Sequence, residues 1–240
     1  LKSTLEETRT ERFIDIGIRG TLPVPIRYYA AHTGRFGGSD KINLQNLPSR
    51  GPNAKVLKSC ICAPEGHTLV EADSAQIEAR VLAWLSGQVD NKKVDEIDGS
   101  QRFIGKTTIL GAGYGMGAAK FRDQLKGMGV EVEEEECKRI IRVYRSANAS
   151  ISQLWRDAQN ALMGMYQGER YGIGRAGVLK TLPEVNGIRL PSGLIMRYGN
   201  LKAEEGEMGI QFLYKTRRGW INIYGGKVIE NVCQGIARCI

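Results

Sequence analysis

The period of the apolar positions changes several times along the chain, and each change predicts an element. Leu1 to Ile18 reads as a charged helix, broken by Gly20 to Pro25. The stretch RYYAAHTGRFGGSDKINLQNLPSRGPN is rich in Gly, Asn and Ser and predicts ordered loop and short strand. HTLVEA predicts a short buried strand ending at Asp73, and SAQIEARVLAWLSG a helix with Gly87 just past its C-terminus. A second helix is expected after Ser100, through QRFIGKTTILGAGYGMG, although its alternating glycines make the second half costly without tertiary support. A third, Glu133 to Ala147, has acids in its first turn and Lys138, Arg139, Arg142 and Arg145 later, the order a helix dipole favours. Its acidic run is a solvated helix start rather than a metal site. The fourth follows Ser150, with Ile151, Leu154, Trp155, Ala158, Leu162 and Met165 on one face. From Tyr171 the period falls to two. IRLPSGLIMRY, MGIQFLYK and GWINIYGG read as strands, the last two joined by the turn TRRG, and VIENVCQGIARCI opens a last helix.

This succession of helices and short strands contains no repeat, and 240 residues with 42% hydrophobic content suffice for one large domain or two small ones. The 34 Lys and Arg against 26 Asp and Glu leave +8, which favours a polyanionic partner and makes nucleic acid the leading candidate. Five cysteines, an odd number with no C-x-x-C pair and only His32 and His67 to assist, argue against a zinc site or a disulfide framework and for free thiols in a reducing cytosol. No apolar run reaches bilayer-spanning length, and Leu1 to Arg12 is too charged for a signal peptide. A cytoplasmic protein with no membrane partner is expected.

The chemistry begins at Asp73. A carboxylate at the end of a buried strand, backed by a helix, can hold a divalent cation, but Asp is also a preferred helix cap, and position alone leaves both readings open. Context decides between them: DSAQIEAR resembles motif A of the family A DNA polymerases, the bacterial DNA polymerase I family, with Asp73, Gln76, Ile77, Glu78 and Arg80 in matching places. The resemblance implies that Asp73 is catalytic and binds two Mg2+ ions, and that Glu78 is the steric gate excluding a 2′-hydroxyl. RFIGKTTILGAGYG resembles motif B, with Arg102, Lys106, Gly111, Tyr114 and Gly115 in register. Arg102 and Lys106 would contact the nucleotide phosphates, Lys106 as a catalytic residue, and Tyr114 would lie by the templating base and Glu78. Leu110 departs from the pattern: the family has Phe or Tyr there, against the incoming sugar.

Two further stretches agree in chain order, and agreement among patterns is more specific than any one of them. HTGRFGGSDKINLQNLPSRG resembles the family's segment upstream of motif A, which implies that Arg35, Asn43 and Gln45 touch DNA near the primer terminus. NVCQGIAR resembles the helix whose glutamine, here Gln234, reads the minor groove; the spacing of Asn231 does not fit the bacterial pattern. The family reading implies an α+β fold: the palm and fingers of a right-hand polymerase, with short antiparallel strands packed against helices. Its expected divisions are the end of the thumb over 1–30, palm with motif A over 31–90, fingers with motif B over 91–170, and a return towards the palm over 171–240.

The implied activity is template-directed DNA synthesis, transferring a deoxynucleoside monophosphate from dNTP to a primer 3′-hydroxyl, with primer-template DNA and dNTP as partners, and a phage-encoded member of the family is expected. Two features limit it. The family's second metal-binding aspartate, in a His-Asp-Glu turn, is not found, so the chain is expected to end before it. Only QVDNKKVDEIDGS separates the helices of motifs A and B, so a break or deletion is expected around Val89 to Asn91. The rivals are a non-catalytic primer-template binding fragment and a P-loop nucleotide hydrolase. GSQRFIGKT nearly spells the phosphate loop of the latter, but Gly99 falls one residue out of place.

Overall fold

The computed structural model describes residues 2–40, 43–47, 54–70, 72–74, 76–87, 108, 111–127, 129–206 and 209–240. The chain divides into two units, Leu1–Ala75 and Gln76–Ile240. In the first, helix α1 (Lys2–Gly17) buries Ile16, and its Arg12 forms an ion pair with Asp40. Strands β1 (Ile26–Arg27) and β2 (Gly37–Gly38) pair antiparallel. A 3₁₀ turn, Leu44–Asn46, follows Asn43, and helix α2 spans Ala54–Ser59.

The buried strand expected over HTLVEA is not found. Its described residues, 67–70 and 72, have no strand pairing; Leu69 is 62% and Val70 88% exposed. Two apolar residues are too few to hold a strand in place when no neighbour completes its backbone hydrogen bonds.

The second unit begins with α3 (Ile77–Ser86), whose Val81, Leu82 and Leu85 are buried. Gly87 ends it in the left-handed region, φ 76°, where its N–H reaches Trp84 O, as a glycine cap should. Helices α4 (Ala118–Gly127) and α5 (Glu134–Ala147) enclose a small core of Phe121, Leu125, Cys137 and Ile141. On the solvent side of α5, Lys138 pairs with Glu134 and Glu135, and Arg139 with Glu136. The acidic run is therefore the solvated start the pattern predicted. Helix α6 (Ala149–Gln167) buries Ile151, Leu154, Ala158, Leu162 and Met165, all anticipated from their three- and four-residue spacing. Each large side chain so buried contributes about 1.5–3 kcal/mol.

Two antiparallel meanders follow. The first has β3 (Gly172–Ile173), β4 (Leu179–Leu182), β5 (Gly187–Arg189) and β6 (Ile195–Arg197) in sequence order. The stretch read as one strand, IRLPSGLIMRY, is two, because Pro191 to Gly193 turns the chain and Gly193 takes φ 85°. The second meander comprises β7 (Lys202–Gly206), β8 (Gly209–Thr216) and β9 (Gly219–Ile223). The last helix, α7 (Gly225–Cys239), is buried along nearly its whole length, against α3 and α6.

Glycine permits the closest of these contacts. A Cβ on Gly225 would lie 2.0 Å from Trp155 O and 2.9 Å from Gln159 N, so α7 starts directly against the α6 backbone. Gln159 caps it: Gly225 N donates to Gln159 Oε1 at 2.8 Å, satisfying one of the N–H groups left open at a helix start. The fold class is α+β, as the family resemblance implied.

Candidate nucleotide and nucleic-acid site

In the second unit, three of the residues singled out by sequence lie on elements that share one core. Glu78 stands in the first turn of α3, Gln234 on α7, and Tyr114 in the turn that follows helical Gly111 and Ala112. Tyr114 is only 7% exposed. Burial pushes its phenol far above the usual range; the neighbouring Cys233 and the Glu78 and Glu230 carboxylates push the same way. Its hydroxyl donates to the Cys233 sulfur, and Cys233 is itself raised, chiefly by burial. At neutral pH Tyr114 is thus a buried, protonated phenol bonded to Cys233.

Glu230 lies one helical turn before Gln234 and accepts from its Nε2 at 3.5 Å; Lys227 Nζ donates to the same carboxylate oxygen at 2.7 Å. Sequence reasoning passed over Glu230 and Cys233, although the i, i+4 step from Glu230 to Gln234 was there to be read. Asn231 is 7% exposed and lies beside Tyr198, a fully buried ring, and so belongs to the core rather than to the site.

Beside Tyr114 and Gly115 runs a groove of about 930 Å³, lined among others by Lys138, Arg142, Arg145, Trp155, Arg156 and Tyr224. Arg145 Cζ lies 5.8 Å from the centre of the Trp155 ring, and Trp155 Nε1 donates to Gly113 O at 2.9 Å, tying α6 to the Tyr114 turn. These cations read in sequence only as dipole-compensating residues; that they line one groove is a tertiary fact.

The first unit holds Asp73, Arg35, Asn43 and Gln45. Asp73, Arg35 and Gln45 are exposed. Asn43 Oδ1 accepts from Gln45 N at 3.1 Å, so its side chain starts the 3₁₀ turn. Among the described residues no group of three or more His, Cys, Asp or Glu is placed to hold a metal ion. Asp73 offers one carboxylate, fewer than a two-ion centre needs. Arg102, Lys106 and Leu110, and the expected break at Val89 to Asn91, lie outside the described residues.

The structure aligns with the POL domain of Pol1 from M. smegmatis, described in complex with DNA primer-template and dNTP: TM-score 0.55, 18% identity, 98% of this chain and 37% of that one. It therefore shares the fold of a DNA polymerase domain. Residues 17–90 match the family model for DNA polymerase family A. The DNA polymerase of Bacillus phage SP02 is 26% identical over 93% of this chain and 43% of its own length. The thermostable DNA polymerase I of Thermus filiformis is 34% identical over 49% of this chain and 16% of its own. Over residues 17–90, and along most of its length to the phage enzyme, the chain is similar to DNA polymerases of family A. It spans less than half the length of these relatives. The phage alignment runs over 283 positions while covering 93% of 240 residues, so about 60 positions of that relative have no counterpart here. No helix among the described residues is long and apolar enough to cross a membrane.

Proposed function

We propose that this chain supplies part of the nucleotide and primer-template site of a template-directed DNA polymerase, which transfers a deoxynucleoside monophosphate from dNTP to a primer 3′-hydroxyl. The observation that carries the reading is the meeting of Glu78, Tyr114 and the Gln234 helix around one buried phenol, at the positions the family motifs specify. Glu78 stands under the sugar of the incoming nucleotide. Tyr114 is held rigid by burial and by Cys233, and presents a ring edge to the templating base. Gln234, its amide nitrogen turned towards Glu230, retains one further N–H to donate to a minor-groove acceptor.

The cationic groove with Trp155 and Tyr224 suits a nucleic-acid strand on charge and aromatic content alike. Asp73 supplies a carboxylate for divalent metal ions, two Mg2+ in the full reading; bound metal would stabilise charge on the transferred phosphoryl group. Arg102 and Lys106 clamp the triphosphate, Arg35, Asn43 and Gln45 hold the DNA near the primer end, and Leu110 faces the sugar. The divisions into palm and fingers over 31–90 and 91–170, the return over 171–240, and a cytoplasmic site of action belong to the same reading.

The test is single-nucleotide primer extension by the protein that carries this chain, with Mg2+ and each deoxy- and ribonucleotide. Templated extension is expected, abolished in Asp73→Asn. In Glu78→Ala the ratio of kcat/KM for ribo- over deoxynucleotide should rise by at least about tenfold, since removing the carboxylate opens room for a 2′-hydroxyl. An unchanged ratio would remove Glu78 from the gate. Primer-template binding without extension in the unsubstituted protein would make the chain a binding module instead.

A further inference from the structure

The four-stranded meander has two unlike faces. Ile173, Leu179, Thr181, Ile188 and Met196 point inward and are buried. On the outer face Lys180 stands directly opposite Arg189, and Arg197 lies one strand further on, opposite Gly187. All three cations are exposed, and none has an ion pair among the described residues. Like charges directly opposite each other destabilise a sheet, so the Lys180–Arg189 pair works against folding, and among the described residues neither cation has an ion pair.

The same two residues line a recess of about 510 Å³ with Arg170, Tyr171 and Glu184. Arg170 Nη2 pairs with Glu184 Oε1 at 3.1 Å, and the Tyr171 hydroxyl donates outward to Glu169 Oε2. One acid against three bases leaves the recess cationic. Residues directly opposite place their Cβ atoms about 5 Å apart, and diagonal neighbours such as Arg189 and Arg197 about 7–8 Å. Long, flexible side chains spaced in this way can reach neighbouring phosphates of a DNA backbone.

We propose that the outer face of β3–β6 is a second docking surface, on which Lys180, Arg189 and Arg197 grip the phosphodiester backbone of duplex DNA. Charge complementarity selects this occupant: the face has no exposed aromatic platform for unpaired bases beyond Tyr171, whose hydroxyl is committed to Glu169. The inference rests on reading the chain as part of a DNA polymerase. It adds a contact that the motif residues do not make.

The experiment measures affinity by fluorescence anisotropy for a closed duplex without primer ends, across a salt series, for the 240-residue chain and for Lys180→Thr/Arg189→Thr. The double variant should bind roughly tenfold more weakly at low salt, with the log–log salt slope reduced by about two. Without DNA its Tm should rise by about 1–3 °C, because the opposed charges are gone and threonine suits a strand. A merely structural pair would instead lower Tm and leave the slope alone. Unchanged affinity and slope in the variant, with the unsubstituted chain binding, overturns the second surface but leaves the polymerase reading standing. No binding by the unsubstituted chain overturns the second surface, while primer extension by the protein that carries this chain decides the polymerase reading separately. Equal loss of binding to polyglutamate, at matched affinity, assigns the face to acidic protein and also overturns the proposal.

Discussion

Replacing Gly225 by alanine tests whether α7 really starts against the α6 backbone. The added methyl would sit 2.0 Å from Trp155 O and 2.9 Å from Gln159 N, both backbone atoms that cannot rotate away. Ordinary contact begins near 3.4 Å, so the helices must part by more than about 1 Å at their crossing. Overpacking of this kind costs about 1–3 kcal/mol, and losing the 2.8 Å bond from Gly225 N to Gln159 Oε1 adds about 1 kcal/mol. The stiffer unfolded chain returns about 0.4–1 kcal/mol. The expected net loss is about 1–4 kcal/mol, read as a lower urea midpoint at unchanged m. Gly127→Ala is the control, since a Cβ there meets nothing within 4 Å, and it should leave stability unchanged or slightly raised. A Gly225→Ala protein within about 0.5 kcal/mol of the parent would refute the close crossing.

Two further outcomes follow. Folding raises the pKa of Cys233, Tyr114 and Tyr198, whose ordinary values are 9.0, 10.0 and 10.0, so their contribution is complete below those values and is lost as pH climbs through them. A thermal-melt series should hold level to about pH 8.5 and fall increasingly above pH 9, each group adding up to about 1.4 kcal/mol per unit; Cys233→Ala should make the fall between pH 9 and pH 10 shallower, buried Cys137 still contributing there, and a level profile to pH 11 would contradict the burial of these groups. Trp155→Phe removes the indole donor to Gly113 O and should cost about 1 kcal/mol in urea unfolding; no loss would mean that the bond does not hold the Tyr114 turn.

Helices were legible because their signals are local. The spacing on α6, the glycine after α3 and the acid-to-base order on α5 are each set within a few residues, and each is found where it was read. The strands were legible only in part. β8 and β9 alternate and are joined by a short turn, but β3 is two residues long and β7 is KAEEG, so neither carries an apolar period to detect. The run before Asp73 failed for the opposite reason: its apolar residues resemble a strand, but a strand needs a partner, and sequence does not say where one is. The groove beside Tyr114 was illegible in the same sense, since Arg142 and Arg145 come from one helix, Trp155 and Arg156 from another, and Tyr224 from beyond both sheets.

Helix α7 shows how much a single stretch of sequence conceals when a helix is buried on several sides. In ENVCQ, five consecutive residues reach different neighbours. Glu230 and Gln234 share the face where Lys227 also binds, Asn231 turns to Tyr198, Val232 enters the core, and Cys233 takes the Tyr114 hydroxyl bond. A motif match recognises only Gln234, because only its role can be carried over from a family pattern. The others hold the phenol and the amide in place, and they do so from positions about 100° apart around the axis. A shift of α7 therefore moves all of these contacts at once: the helix crossing set by Gly225 and the arrangement around Tyr114 are one structural quantity, measured at two ends of the same helix.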